Sequence, residues 1–342
     1  PTIKLAHKFK LLDNPTERPH PANTQTRIVP RAGGLAIFLG LFISILFFIP
    51  IEKHIIGLIA GLIILLLVGL LDDKYTKFSP YKRLVAQFVA AGVVVASGIG
   101  ISFITNPFGG IIRLDSIIIP FNFIGNHQII LNADILALLW IVWFMNMINW
   151  SKGVDGQMPG IVTVAALILG LLSLKLYLSG DINQLNIAKL SFITAGSAAG
   201  FLIFNWHPAK IFPGFSGSTI FGLMLAPLAI LSGAKLATAG LALLVPATDF
   251  VYTFTRRLLQ RKSPVWGDRG HLHHRLLDSG LSPQQITCIY IFIGVILGAL
   301  ALNLDSRGKM FAAILVALSI LGLILWLNFF GGFSKHSDPD SG

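Results

Sequence analysis

Charge is what this chain has least of. Only 12% of its 342 residues are Asp, Glu, Lys or Arg, about half the share found in a soluble domain. So few charges cannot cover a surface that faces water on all sides. Acids are scarcer than bases, 15 against 26. The single cysteine, Cys288, lies in an apolar run, which excludes an internal disulfide and reads as a small packed apolar residue. The chain opens on Pro1 without the n-region, apolar core and cleavage site of a signal peptide. Fixed-period repeats and low-complexity tracts are also missing.

What is present is apolar: 54% hydrophobic residues and a mean hydropathy of +0.76. A membrane is the natural solvent for such a sequence. A spanning helix takes about 20 apolar residues, with a range of about 17–25. Ten runs approach that length, at 34–50, 55–71, 84–103, 134–149, 160–178, 187–205, 217–232, 235–254, 286–303 and 309–330. The pattern predicts an all-α polytopic membrane protein of about ten transmembrane helices, with its transmembrane domain at 34–330. Residues 1–33 precede it as a loop, 255–285 form a His-containing loop within it, and 331–342 read as a disordered tail. The stretch 104–133 is the one long segment on its side of the membrane. Ile111–Ile119 and Phe121–Leu131, with Gly125-Asn126 between their halves, predict a small β-hairpin there, an irregular loop being the alternative.

The net charge of +11 does not point to nucleic acid, because the basic residues cluster in short loops between apolar runs. Sorting the loops alternately onto two faces puts 1–33, 72–83, 150–159, 206–216, 255–285 and 331–342 on one face, with 19 of the 26 Lys and Arg. The positive-inside rule makes that face cytoplasmic. Nearly every unusual polar motif falls on it too, although the charge count did not use them.

Asp72 and Asp73 end the second run. Adjacent carboxylates at a membrane boundary are costly unless hydrated, paired or metal-bound. Two hard oxygen donors suit Mg²⁺, which takes one or two carboxylates plus substrate phosphates. A solvated helix end beside Lys74 is the alternative. Asn146 and Asn149 end the fourth run, three apart on one helical face. Lys152 and Asp155 follow in Ser151-Lys-Gly-Val-Asp-Gly. The pattern fits either helix capping before a Gly turn or a polar patch where backbone approaches a ligand closely.

The segment Asn205–Ser218 breaks an apolar region with two Pro and two Gly. At membrane depth such a break must be packed or must line a watered cavity. Lys210 can neutralise a phosphate, Phe212 can stack on a base, and Ser216 opens the next helix, whose N-terminus favours anions. An ordinary turn with an N-cap serine is the plainer reading. The last motif is Trp266-Gly-Asp-Arg-Gly-His-Leu-His-His-Arg-Leu. Its three histidines lack the cysteines of a structural zinc site. A short amphipathic helix would present Arg269, His271, His273 and His274 as a cationic cluster for a diphosphate or for proton handling. A solvated basic face is the alternative, and it accounts better for Arg256, Arg257, Arg261 and Lys262.

These segments, in this order, resemble the polyprenyl-phosphate N-acetylhexosamine-1-phosphate transferases. The matching pieces are Pro30-Arg-Ala-Gly-Gly-Leu-Ala-Ile-Phe, Gly69-Leu-Leu-Asp-Asp, Asn146-Met-Ile-Asn, Gly153-Val-Asp-Gly, Asn205-Trp-His-Pro-Ala-Lys-Ile-Phe and Asp268-Arg-Gly-His-Leu-His-His-Arg-Leu. The last is the most specific. With the span at 309–330, it points to the GlcNAc-1-phosphate branch. The resemblance implies one more helix before residues 1–33, which would bring the total to eleven.

It further implies transfer of a sugar 1-phosphate, GlcNAc-1-phosphate or a related N-acetylhexosamine-1-phosphate, from a UDP-sugar to a polyprenyl phosphate, with release of UMP. The setting would be the inner membrane, early in envelope glycan synthesis. Catalysis would fall to Asp72, Asp73, His271, His273 and His274. Asn146, Asn149, Lys152, Asp155, Lys210, Phe212, Ser216 and Arg269 would bind substrate. Mg²⁺ (or Mn²⁺) would sit on Asp72, Asp73 and Asp155. A homodimer is one candidate assembly. Two positions depart from the family pattern: Lys152 replaces the first Asp of Asp-Gly-x-Asp-Gly, and Phe215 replaces the metal-binding Asp of Gly-Asp-x-Gly-Ser. The lysine would supply part of the missing positive charge. Two rival readings are a non-catalytic lipid- or nucleotide-binding scaffold and a membrane transporter, whose broken helices and intramembrane charges look similar.

Overall fold

The computed structural model describes residues 1–15, 27–75, 78–122, 126–232, 236–267 and 269–330. The tail at 331–342, Gly125 of the expected turn, and Asp268 of the histidine motif lie outside the described residues. In chain order the elements begin with α1 (Thr2–Lys8), β1 (Leu12–Asp13), β2 (Val29–Pro30), α2 (Gly33–Phe48), α3 (Lys53–Lys74) and α4 (Pro80–Ala96). Four strands follow: β3 (Phe103–Thr105), β4 (Ile111–Arg113), β5 (Ile118–Asn122) and β6 (Asn126–Ile130). The rest is helical: α5 (Leu131–Trp150), α6 (Gln157–Leu178), α7 (Gln184–Asn205), α8 (Gly214–Leu231), α9 (Leu236–Ala242), α10 (Leu244–Leu259), α11 (Leu272–Asp278), α12 (Pro283–Asn303) and α13 (Ser306–Phe330).

The protein is a multi-pass membrane protein. Seven of these helices are long and apolar enough to cross a bilayer, or up to eight where the bent pair α9 and α10 counts as one span. The shorter α2 and α4 have 16 and 17 residues. Each of the ten apolar runs overlaps one of these helices or, for 235–254, the bent pair, but 84–103 overruns α4, which ends at Ala96, and reaches into β3 at Phe103. The 235–254 run is not one straight rod: α9 and α10 meet at 84°. Pro246, in the first turn of α10, lacks an N–H and its ring clashes with the carbonyl four residues back, which favours a break just beyond Ala242.

The 104–133 segment also differs from a single hairpin. It holds two antiparallel pairs, β3 with β4 and β5 with β6. Ile111 pairs with Thr105 instead of joining a strand that runs on to Ile119. The Gly109-Gly110 turn explains this, because both residues have positive φ, 129° and 76°, which glycine adopts at little cost.

At the centre stands α8, whose spanning window is 94% buried. It packs against α2, α3, α5 and α7. Its first turn approaches α2 and α3 so closely that a Cβ on Gly34 or Gly69 would strike Ser216. Ser216, expected to meet substrate, is therefore fully buried in a three-helix crossing. Gly69→Val should lower the thermal midpoint in detergent, since overpacking costs about 1–3 kcal/mol. An unchanged melt would mean that the crossing can open without cost.

Candidate active site

Helix ends from distant parts of the chain meet at one end of the bundle. Asp72 and Asp73, in the last turn of α3, are 1% and 0% exposed. They lie in the interior because cations surround them. Arg31 places Nε 3.1 Å from Asp73 Oδ1 and a terminal nitrogen 3.6 Å from Asp72 Oδ2. Arg83, in the first turn of α4, reaches Asp72 Oδ1 at 2.6 Å. Asp13 holds the far side of Arg31 at 3.4 Å. Backbone bonds fix Arg31: Phe212 N–H donates to Pro30 O and Gly33 N–H to Phe212 O.

Gly214 closes the carboxylate side. Its φ of +67° suits glycine, and a Cβ there would meet both oxygens of Asp73 and the carbonyl of Arg31. The carbonyl of Gly214 accepts a 3.0 Å hydrogen bond from Lys152 Nζ, which also donates to Asn149 Oδ1 at 2.7 Å. Ser218 Oγ donates to the same Asn149 oxygen. Burial pushes the Lys152 ammonium down to about 7. Arg31 and Arg83 push the same way, while Asp72 and Asp73 oppose them.

The next residue, Gly153, turns to the histidines. A Cβ on it would overlap the ring of His273. His273 stacks on His271, with centroids 5.4 Å apart, and lies 4.3 Å from the ring of His274. All three histidines are buried. Asp249 of α10 accepts from His271 Nδ1 at 2.9 Å and from the Leu272 N–H at 2.7 Å. Burial, then the neighbouring His274 and His271, hold the His273 ring well below its ordinary pKa. Burial therefore disfavours the charged form of His273, against the cationic role expected of it. Arg269 is not with the histidines either. It pairs with Asp278 at 3.0 Å and is half exposed, because α11 starts only at Leu272.

Asp155 takes a third position. Its Oδ2 accepts from His207 Nδ1 at 2.7 Å and from the Ala209 N–H at 3.1 Å. The 205–213 turn therefore folds onto Asp155, and Asp155 does not join Asp72 and Asp73. Among the described residues no three His, Cys, Asp or Glu side chains converge as metal ligands. Phe212 is half-buried and Lys210 is exposed on the same turn.

A cavity of about 510 Å³ runs beside the cation cluster. Arg83, Gln87, Asn146 and Asn149 supply its polar wall, and Trp143, Trp150, Phe215, Phe250 and Phe254 much of the apolar one. Asn146 Nδ2 donates to Gln87 Oε1 at 2.8 Å. Trp150 joins the cavity to the histidines, with its ring 5.3 Å from that of His271. Arg31, Arg83, Gln87 and His207 are participants that sequence reasoning did not single out. The Arg83–Gln87 pair carried a readable signal, because residues four apart share a helical face and Gln87 interrupts an apolar one.

Residues 55–233 match the family model described as Glycosyl transferase family 4. The probable undecaprenyl-phosphate N-acetylglucosaminyl 1-phosphate transferase of Bacillus subtilis (strain 168) is 31% identical, across 90% of this chain and 81% of its own length. The decaprenyl-phosphate N-acetylglucosaminephosphotransferase of Mycolicibacterium smegmatis is also 31% identical, across 85% and 75%. The phospho-N-acetylmuramoyl-pentapeptide-transferase of Caldanaerobacter subterraneus subsp. tengcongensis is 28% identical, across 81% and 84%.

Proposed function

Because the chain belongs to glycosyl transferase family 4, we infer that it transfers a sugar 1-phosphate, GlcNAc-1-phosphate or a close relative, from a UDP-sugar to a polyprenyl phosphate. The observation that carries this reading is the pair Lys152 and Gly153. The first bonds to the Gly214 carbonyl beside Asp73, and the second lies against His273. One diphosphate can therefore be held between the aspartate end and the histidine end.

In the reaction an oxygen of the lipid phosphate attacks the sugar-bearing phosphorus. A P–O bond forms there while the bond to the bridging oxygen breaks, and UMP departs with that oxygen and its electron pair. Arg83, oriented by Asp72, and Arg31, oriented by Asp73, offer N–H donors to the lipid phosphate, and Asp73 takes its proton. Lys152 and the histidines face the diphosphate, where fixed donors in a dry site do most of the work of phosphoryl transfer. Asn146 and Asn149 line the path of the acceptor. Asp155, Lys210 and Phe212 shape the nucleotide side, Phe212 as a surface for uracil. The aromatic cavity takes the isoprenoid chain. The clustering of basic residues in the loops on this side supports assigning the site to the cytoplasmic face of the inner membrane.

Transferases of this family generally depend on a metal, and the resemblance implies Mg²⁺ (or Mn²⁺). The side chains present do not fit one. The two carboxylates are engaged by guanidinium groups, Asp155 is bonded elsewhere, and Phe215 offers no donor. No step above uses a metal.

Purified protein supplied with UDP-GlcNAc and polyprenyl phosphate should release UMP and form a lipid-linked sugar phosphate. A folded protein that binds UDP yet releases no UMP from several UDP-sugars would instead be a scaffold, and substrate flux without chemistry in proteoliposomes would make it a transporter. The acceptor path has its own test. Leu139 lines the cavity and is half exposed, so Leu139→Trp should fill the path without disturbing the core. The KM for a long polyprenyl phosphate should rise several-fold while the KM for the UDP-sugar holds. Equal changes in both would place the lipid elsewhere.

A further inference from the structure

The acids at the phosphate end of the site are matched by cations. Arg31, Arg83 and Lys152 surround Asp72 and Asp73, and Asp13 pairs with the far side of Arg31, so three cations meet three carboxylates. The Phe215 ring, 2% exposed, lies under the Arg83 guanidinium at 5.8 Å. A divalent ion seeks oxygen ligands and a site whose charge is negative before it arrives. Here the acids already have counter-charges, and the neighbouring wall is an aromatic face. Lys152 donates to Asn149 Oδ1 and Gly214 O. An ammonium has three N–H donors, so among the described residues one remains for a phosphate oxygen.

We propose that this site neutralises the substrate's diphosphate with Lys152, leaves Arg31 and Arg83 to the lipid phosphate, and takes up no divalent cation between Asp72 and Asp73. The proposal rests on the transferase reading. It adds that the charge relatives take from a soluble ion is built into this chain. A lysine has a fixed tether and cannot be removed by a chelator. The nucleotide sugar can then bind free of metal.

The test uses the full chain in detergent or nanodiscs. Mn²⁺ is titrated into the protein and followed by electron paramagnetic resonance, and UDP binding is measured by calorimetry in EDTA and in Mg²⁺. The expected result is an unattenuated free Mn²⁺ signal and the same UDP affinity in both buffers. Lys152→Gln should weaken UDP binding about tenfold or more, as expected for one lost charge-assisted hydrogen bond, while Lys152→Arg should retain it and report on folding. Stoichiometric Mn²⁺ uptake that disappears in Asp73→Asn, or UDP affinity that collapses in EDTA, would overturn the proposal alone. A folded protein that binds no UDP in either buffer would overturn the transferase reading and this proposal with it.

Discussion

Asp73→Asn should lower the turnover number by about 10²–10⁴-fold, the range for a lost proton-transfer group. The change keeps the shape of the side chain and removes its charge. Arg31 would retain Asp13 and Asp72 as partners, so the guanidinium stays in the site. What is lost is the oxygen that takes the acceptor's proton and the counter-charge beside Gly214 and Lys152. UMP release measured at saturating substrates separates this from weaker binding. Because removing one member of a buried pair can cost about 3–5 kcal/mol of stability, a thermal melt must accompany the assay. A folded Asp73→Asn protein that turns over within a few-fold of the wild type would remove Asp73 from the chemistry.

The second large effect is expected at Lys152. Lys152→Ala should reduce kcat/KM by about 10²–10³-fold, the scale for removing one preorganised donor from a site of developing charge. Asn149 would lose one of the two donors to its Oδ1 but keep Ser218, so the wall of the cavity should persist. The pH dependence follows from the same group. With its ammonium held at about 7, Lys152 is a cation below that pH and loses its proton above it. The groups that face it are Arg31 and Arg83, which favour deprotonation, and Asp72 and Asp73, which oppose it. The KM for the UDP-sugar should therefore rise as the pH climbs above 7, with kcat less affected because bound diphosphate restores the proton. Lys152→Arg should flatten that rise. A pH profile identical in wild type and Lys152→Arg would remove Lys152 from diphosphate binding.

Much of this arrangement was legible in the chain. Asp72 and Asp73 stood out because carboxylates at the end of an apolar run need a reason. Asn149, Lys152 and the histidines stood out in the same way, as polar groups on loops that alternate to one side. Their partners were harder to see. Arg31 and Arg83 read as ordinary basic loop residues under the positive-inside pattern, although they hold the aspartates. His207 lies 52 residues from Asp155, and nothing local announces that contact. Ser216 looked like an anion-binding N-terminus because it follows a Pro-Gly break. Only the close approach of Gly34 and Gly69 shows that it is packing material. The 84° bend between α9 and α10 was hidden because an apolar run records which residues avoid water, not the direction of the axis.

The way the aspartates are paired bears on how the chain is made. Asp72 and Asp73 meet Arg31 and Arg83, and all four residues lie between β2 and the first turn of α4. The ribosome finishes this portion long before Lys152 or the histidines exist. The nascent segment can therefore enter the bilayer with its acids already matched, without waiting for later helices to supply the counter-ions.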